Sequence, residues 1–193
     1  MDLLAFVEKV AELKRLKRTG WVIKRIADPE SVADHSFSLA LMAYVYSKKF
    51  GLNSGRCVKM ALVHDICEVY AGDIPSRVRD EDKPVPDARK KELEENGLKK
   101  LIALLPKEFA DEIYGLWLEF EARSTKEARL VKDLDKLEMC MQALGYAKTN
   151  PEVDLGEFFE DGRLNIKTPE IRKVFSKIHA EFKALAEKKR ERI

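Results

Sequence analysis

The sequence predicts an all-α protein, a bundle of six to eight helices in one domain that spans residues 1 to 193. Apolar side chains recur at intervals of three and four residues along most of the chain, which is the period of an amphipathic helix. No run of any length alternates between apolar and polar residues, so β-strands are not expected. A chain of 193 residues is also long enough to bury a full hydrophobic core.

The first two predicted helices are separated by an irregular connection. Residues 2 to 17 place leucine, phenylalanine and valine at helical spacing, with charged residues between them. Residues 18 to 33 form the connection, in which Pro29 disfavours helical geometry at the residue before it. The second helix is expected over residues 32 to 50 and ends at Gly51.

A third helix is expected over residues 55 to 71, with Asn53 or Ser54 as its N-terminal cap. The segment from 72 to 86 follows directly and contains three prolines among dense charges, so it cannot be a continuous helix. Its position is compatible with a lid over a site and equally with an ordinary solvated loop.

The C-terminal half predicts four further elements. Two helices are expected over residues 87 to 104 and 108 to 122. A capping box at residues 124 to 127 then begins a long helix. Residues 151 to 167 are expected to be irregular, and a Thr-Pro-Glu sequence opens the last helix, at about 168 to 190.

Composition restricts the class of protein. The 36 basic and 34 acidic residues nearly cancel, so the chain has no overall field that would attract a nucleic-acid polymer. Charged residues make up 36% of the chain, and amide side chains are few, a combination that suggests a thermophilic source. Three cysteines lack metal-type spacing, and no apolar run approaches the ~20 residues that cross a membrane. We therefore expect a reduced, cytoplasmic protein without a membrane partner.

The doublet His64-Asp65 lies on an apolar helical run, where neither side chain is needed for packing. Removing these groups from water without partners is costly, and a divalent metal would satisfy both. The chain has three histidines. His35, on the second predicted helix, is a candidate ligand, whereas His179 lies among apolar residues and is expected to be structural.

Two acidic residues on the long helix, Asp133 and Asp135, are candidates for a further ligand. At ~100° per residue both fall at the sides of the buried stripe, and Asp133 is somewhat closer to its centre. Periodicity therefore does not choose between them. Glu68 is four residues after His64 and shares its helical face, where it could be a surface carboxylate or a proton carrier beside a metal.

This ordered pattern resembles the HD-domain metal-dependent phosphohydrolases, which carry a histidine on one helix, a His-Asp doublet on a later helix and an aspartate further on. The likeness covers roughly residues 1 to 150, with the metal-site core at about 30 to 150. Several flanking segments resemble the 5′-deoxynucleotidases of that family in particular: Arg18-Thr19-Gly20-Trp21, residues 29 to 35, Glu68, Gly72-Asp73-Ile74-Pro75 and residues 132 to 136.

The resemblance implies an HD-type helical bundle that holds one divalent metal per chain on His35, His64, Asp65 and Asp135. It thus selects Asp135 and leaves Asp133 as an exposed acid. Mixed histidine and carboxylate ligands suit Co, Mn, Ni, Fe or Zn rather than Mg or Ca.

The resemblance also implies roles in substrate handling. It assigns an acid-base role to Glu68 and contact with the sugar hydroxyl to Asp73. Trp21 would stack on the base and Arg18 would pair with the phosphate. Arg25 remains an alternative to Arg18, because two residues separate Arg18 from Trp21 here, whereas the arginine and tryptophan are adjacent in bacterial members. Glu121 and Arg123 match a substrate-binding segment only loosely.

The expected reaction is hydrolysis of 5′-nucleoside monophosphates, with deoxyribonucleotides preferred. Two alternatives remain: an HD-domain hydrolase of a triphosphate, alarmone or cyclic nucleotide, and a non-catalytic metal-stabilised binding module. The binding module has no need of Glu68, which therefore favours catalysis. A homodimer is also expected, since the amphipathic first and last helices offer surplus apolar surface and many relatives of this size are dimeric.

Overall fold

The computed structural model describes residues 1 to 75 and 84 to 190. Within these ranges the chain forms helices and no strand, apart from an isolated antiparallel bridge between Lys17 and Ser31. The all-α prediction is confirmed. The helices of the described residues are α1 (Leu3–Glu12), α2 (Thr19–Ile23), α3 (Val32–Lys49), α4 (Ser54–Val63), α5 (Glu68–Ala71), α6 (Asp87–Ile102), α7 (Lys107–Ala122), α8 (Lys126–Thr149), α9 (Gly156–Asn165) and α10 (Pro169–Arg190).

Ten helices in the described ranges exceed the six to eight expected, for three reasons. A short helix, α2, interrupts the predicted connection between residues 18 and 33. The predicted third helix is divided into α4 and α5 by a turn at residues 64 to 67, which contains the His-Asp doublet. Residues 151 to 167 were expected to be irregular, which is wrong, because α9 forms there and buries Phe158 and Phe159.

Side chains cap several of the helices that carry the site. Ser31 and Asp34 form a reciprocal capping box at the start of α3, so His35 is fixed in the first turns of that helix. At the start of α8, Thr125 alone accepts from the backbone N–H of Ala128, at 3.1 Å. The capping box predicted there does not form, since the Glu127 carboxylate instead accepts from the backbone N–H of Asn53.

The larger hydrophobic core lies where α3 packs against α4 and α8, with α9 and α10 closing one side. A second cluster lies between α1, α5, α6 and α7 and centres on Leu98, Leu101 and Trp117. Each fully buried side chain of this size contributes roughly 1.5–3 kcal/mol. The long central helices are thereby held in fixed relative positions.

Gly97 allows α6 to lie against the turn after the doublet. A Cβ atom at this position would come within 2.6 Å of the Cys67 carbonyl oxygen, closer than real contacts allow. The missing side chain therefore brings the α6 backbone against the segment that carries the doublet.

The segment predicted to be a lid or a solvated loop lies largely outside the described residues, since 76 to 83 are not among them. Among the residues that are described, no helix combines the length and hydropathy needed to cross a membrane.

Candidate metal centre and active-site cavity

Three residues far apart in sequence meet between α3, α4 and α8. His35 on α3, His64 at the end of α4 and Asp135 on α8 each offer a ligand atom, and these atoms all lie within 4.8 Å of one another. The two imidazole rings are 5.3 Å apart, centroid to centroid. We call these three residues the His-Asp cluster. It contains three of the four predicted metal ligands.

The hydrogen bonds of His64 leave one ring nitrogen available. Its Nδ1 lies 2.8 Å from the Ala61 carbonyl oxygen, and because a carbonyl can only accept, Nδ1 must carry the hydrogen. The Nε2 lone pair then points into the cluster. Nε2 is buried and has no hydrogen-bond partner among the described residues. A buried, unpartnered imidazole nitrogen beside a carboxylate fits a divalent transition metal.

The fourth predicted ligand, Asp65, adjoins the cluster through His64. Its Oδ2 lies 2.9 Å from His64 Nε2, too poorly aligned for a hydrogen bond, and 2.9 Å from Arg18 Nη1. Burial would raise the pKa of Asp65, but the neighbouring His64 ring and the positive charge of Arg18 lower it below its usual value. Arg18 therefore already compensates this carboxylate.

The structure separates the two aspartates of α8. Asp135 Oδ1 lies 3.1 Å from His35 Nε2, and the pKa of Asp135 is held well below normal by His35 and Lys136 against the effect of burial. Asp133 is 2% exposed, so the expectation of an exposed acid is wrong. Its Oδ2 accepts from the backbone N–H groups of Lys167 (3.1 Å) and Thr168 (2.6 Å). Asp133 thus stabilises the start of α10.

Glu68 begins α5, directly after the doublet turn, and is 4% exposed. Its Oε2 has no hydrogen-bond partner among the described residues. Burial, followed by the charges of Asp65 and Asp73, raises the pKa of Glu68 well above its usual value. A carboxyl group in this state can hold a proton and release it to a bound molecule.

A cavity of about 880 Å³ opens beside these residues, within the size range of small-molecule sites. His64, Asp65, Glu68 and Asp135 line it, and we call the part of the cavity that these four residues line its inner end. Its walls come from α2, α6 and α9. Two ion pairs join α9 to the neighbouring helices, Lys24 to Glu157 at 3.3 Å and Lys136 to Asp161 at 3.0 Å.

Three of the expected substrate contacts lie in the cavity wall. Arg18 lines the cavity, whereas Arg25 is exposed and does not, so geometry favours Arg18. Trp21 is 2% exposed, with its ring centroid 4.1 Å from that of Phe158, so it supports the wall without an open stacking face. Asp73 lines the cavity and accepts the backbone N–H of Thr19, which caps α2.

The remaining candidates divide between the cavity and the core. Glu121 and Arg123 line the cavity, and Glu121 accepts from Lys132 at 2.7 Å. His179 lies away from the cluster, with its ring 5.4 Å from Phe159 and 5.3 Å from Phe175. It is structural, as expected.

The sequence reasoning missed two groups of residues. Glu138 contacts His35, and its position three residues after Asp135, on one helical face, was the signal that could have identified it. The residues of α9 gave no such signal, because a segment of ten residues with two glycines shows no clear helical period.

Comparison with known proteins agrees with this geometry. A sequence model of the HD domain family matches residues 10 to 179. The 5′-deoxynucleotidase HDDC2 of Bos taurus is 41% identical over 93% of this chain and 85% of its own, and the human protein of that name is 39% identical over 93% and 86%. In Schizosaccharomyces pombe, the 5′-deoxynucleotidase hdd1 is 36% identical over 85% of this chain and 82% of its own.

Solved structures agree as well. A protein of Pyrococcus horikoshii superposes with a TM-score of 0.73 at 32% identity, over 95% of this chain and 98% of its own. A predicted metal-dependent phosphohydrolase of Magnetospirillum magnetotacticum gives 0.72 at 25%, over 95% and 94%. The family model matches most of the chain, and the His-Asp doublet that the family pattern contains lies at the inner end of the cavity. The chain therefore belongs to the HD domain family.

Proposed function

We propose that this chain is a metal-dependent phosphohydrolase that removes the 5′-phosphate from nucleoside monophosphates and prefers deoxyribonucleotides. The observation that carries the proposal is the combination at the inner end of the cavity. The His-Asp cluster, with an unpartnered imidazole nitrogen, lies beside Glu68, which has an unpartnered carboxyl oxygen. The names of the relatives, which describe 5′-deoxynucleotidases at 34–41% identity, support the same reaction.

His35, His64, Asp65 and Asp135 would hold one divalent ion, for which Co, Mn, Ni, Fe and Zn are all suitable given the donor set. When bound, the ion supplies positive charge that makes a nearby water more acidic and offsets negative charge at phosphorus. The helices that carry these residues are fixed by the main core, so the ligands are held in place before the metal arrives.

The side chains around the cluster would do the remaining work. Glu68 Oε2 would exchange a proton with the attacking water or the leaving 5′-oxygen. Arg18, partly buried and lining the cavity beside Asp65, would pair with a phosphate oxygen. Asp73 would accept a hydrogen bond from the sugar 3′-hydroxyl. The walls would then enclose the nucleoside.

Glu68 also argues against a purely binding function for the chain. Burying a polar group without a partner costs roughly 1–3 kcal/mol, and a metal-stabilised binding module gains nothing that offsets this cost. A catalytic proton carrier explains why the group is retained. The alternative substrates, which are triphosphates, alarmones and cyclic nucleotides, share the same metal chemistry, and only measurement of rates will separate them.

The test is hydrolysis of a substrate panel by metal-stripped protein after addition of each divalent metal in turn. Deoxyribonucleoside monophosphates should be the best substrates, about 5–150-fold faster than ribonucleotides, because an unpaired buried 2′-hydroxyl costs about 1–3 kcal/mol. Chelation should abolish the activity. Hydrolysis of only triphosphates or cyclic nucleotides would support the alternative enzyme, and metal binding without hydrolysis would support the binding module.

We also propose that the chain forms a homodimer. The described residues of α10 support this less than expected, because Ile171, Phe175 and Ile178 are buried in the core. Exposed apolar side chains on α1 and α3 support it more: Leu3, Leu4, Val7, Phe37, Leu41, Tyr44 and Val45. Light scattering should return twice the chain mass of 22.2 kDa, and a value near 22.2 kDa would contradict the proposal.

A further inference from the structure

The two histidines of the cluster are oriented by different kinds of group. His64 Nδ1 donates to a backbone carbonyl, that of Ala61. His35 is fully buried, and its Nδ1 lies 2.5 Å from Oε2 of Glu138, a side chain. In both residues Nδ1 is engaged from outside the cluster, and Nε2 faces inward. The orientation of His35 thus depends on a residue that can be substituted.

We propose that Glu138 is a positioning residue for the metal ligand His35. The inference rests on the proposed metal site and adds a residue that would tune it. A carboxylate can only accept at this position, so it holds a hydrogen on Nδ1. Nε2, 3.1 Å from Asp135 Oδ1, is then the nitrogen that would give up its hydrogen and bind the metal. A carboxylate partner also makes the imidazole a stronger ligand, and loss of such partners typically weakens metal binding ~10–100-fold.

The location of Glu138 suits this role. It is 5% exposed and lies three residues after Asp135, so adjacent positions on one face of α8 supply both a ligand and the group that orients another ligand. Because α8 packs against α3 in the main core, the contact from Glu138 to His35 is held by two long helices.

A neighbouring carboxylate provides a matched control. Glu30 has an oxygen within 4.8 Å of both His35 and Glu138. Its Oε1, however, accepts from Trp21 Nε1 at 2.8 Å, and no hydrogen bond joins it to His35. Substitution of Glu30 perturbs the same buried group of charges and leaves the contact that orients His35 in place.

The experiment measures Mn²⁺ affinity of the metal-stripped full chain by isothermal titration calorimetry, together with thermal unfolding of the metal-free protein. E138M, similar in shape but without an acceptor, should bind Mn²⁺ ~10–100-fold more weakly than wild type. E138Q, whose amide oxygen can still accept from Nδ1, should recover most of that loss. E30Q should stay within about threefold of wild type, since the orienting contact remains.

Folded E138M that binds Mn²⁺ within about threefold of wild type would overturn the inference while leaving the metal site intact, as would an E30Q loss equal to that of E138M. If E138M does not fold, E138D takes its place, because it keeps the charge but is one methylene too short to reach Nδ1. Wild-type affinity in E138D would equally overturn the inference. A wild-type chain that binds no Mn²⁺ would contradict the proposed metal site itself, and the inference with it.

Discussion

The inner end of the cavity, which we call the floor, consists of the His-Asp cluster with Asp65 and Glu68, and its cluster residues come from helices packed at the centre of the fold. The walls include α2 and α9, which are only five and ten residues long, beside the longer α6. Ion pairs at Lys24 and Lys136 join α9 to its neighbours, and the more exposed pair, Lys24 with Glu157, contributes little. We therefore expect substitutions in the floor to abolish function and substitutions in the walls to change it by degrees.

The largest effect is expected for Asp135→Asn, compared with Asp133→Asn two residues earlier on the same helix. Asp135 belongs to the cluster and Asp133 stabilises the start of α10. Asp135→Asn should abolish hydrolysis and the rise in melting temperature on metal addition, because a ligand is lost. Asp133→Asn should keep both and lower the free energy of unfolding by only about 1 kcal/mol, because its amide oxygen can still accept both backbone N–H groups and only the charge is lost.

Activity assays and thermal unfolding with and without Mn²⁺ would check this pair. If Asp133→Asn lost the metal response and Asp135→Asn kept it, the ligand assignment would be reversed. Equal losses in both variants would mean that α8 fails as a unit, and the distinction between ligand and cap would not hold.

The next effect within the floor is expected for Glu68→Gln. The amide keeps the shape of Glu68 but cannot exchange a proton, so kcat should fall by ~10²–10⁴, the usual contribution of a positioned acid or base. Affinity for Mn²⁺ should remain that of wild type. Loss of metal along with activity would make Glu68 a ligand, and unchanged kcat would return support to the binding module.

A smaller and more selective effect is expected in the wall, at Asp73. Asp73→Ala should slow hydrolysis of deoxynucleotides by ~5–150-fold, more than that of a phosphate ester without a sugar, because the partner of the 3′-hydroxyl is lost. Asp73→Asn keeps an oxygen that can cap α2 through Thr19 and separates the two roles. Equal losses on both substrates in Asp73→Ala, restored in Asp73→Asn, would assign Asp73 to the fold alone.

The contrast between the floor and the walls also explains which parts of the site could be predicted from the sequence. His35 and His64 were identified because long periodic helices carry them and their order matches a family pattern, although the break at the doublet gave no signal. The walls depend on contacts between distant residues: Asp73 caps α2 from 54 positions away, and Phe158 packs on Trp21. Local propensity contains no information about such contacts.

Asp133 shows a different limit. The helical wheel correctly placed it closer to the buried stripe than Asp135, but depth on a helix does not reveal what the side chain contacts. Its partners, the backbone groups of Lys167 and Thr168, lie more than thirty residues further along the chain. The packing of α9 and α10 against α8 brings them together.

The smallest effect concerns Glu94, on the face of α6 that lines the cavity. Burial raises its pKa to about 7 against the opposing charge of Lys90, and the charges of Asp65 and Glu121 act in the same direction as burial. Between about pH 4.5 and 7 the folded protein keeps a proton on Glu94 that the unfolded chain releases, so this group lowers stability as pH rises through that window. Glu94→Gln should remove the part of the pH dependence of stability that comes from this group.

Urea unfolding of Glu94→Gln and wild type between pH 4 and 8 would measure this difference. The two curves should meet near pH 4 and separate towards pH 8, with the variant more stable by on the order of 1 kcal/mol, a value reduced from the full shift because the side chain is partly exposed. Glu95 gives the opposite sign, since hydrogen bonds from Lys99 and Tyr114 lower its pKa, so Glu95→Gln should lose stability above pH 4.5. If the stability of Glu94→Gln and of wild type changed with pH in the same way, water would reach Glu94. The α6 wall would then be more open to solvent than the burial of Glu94 implies.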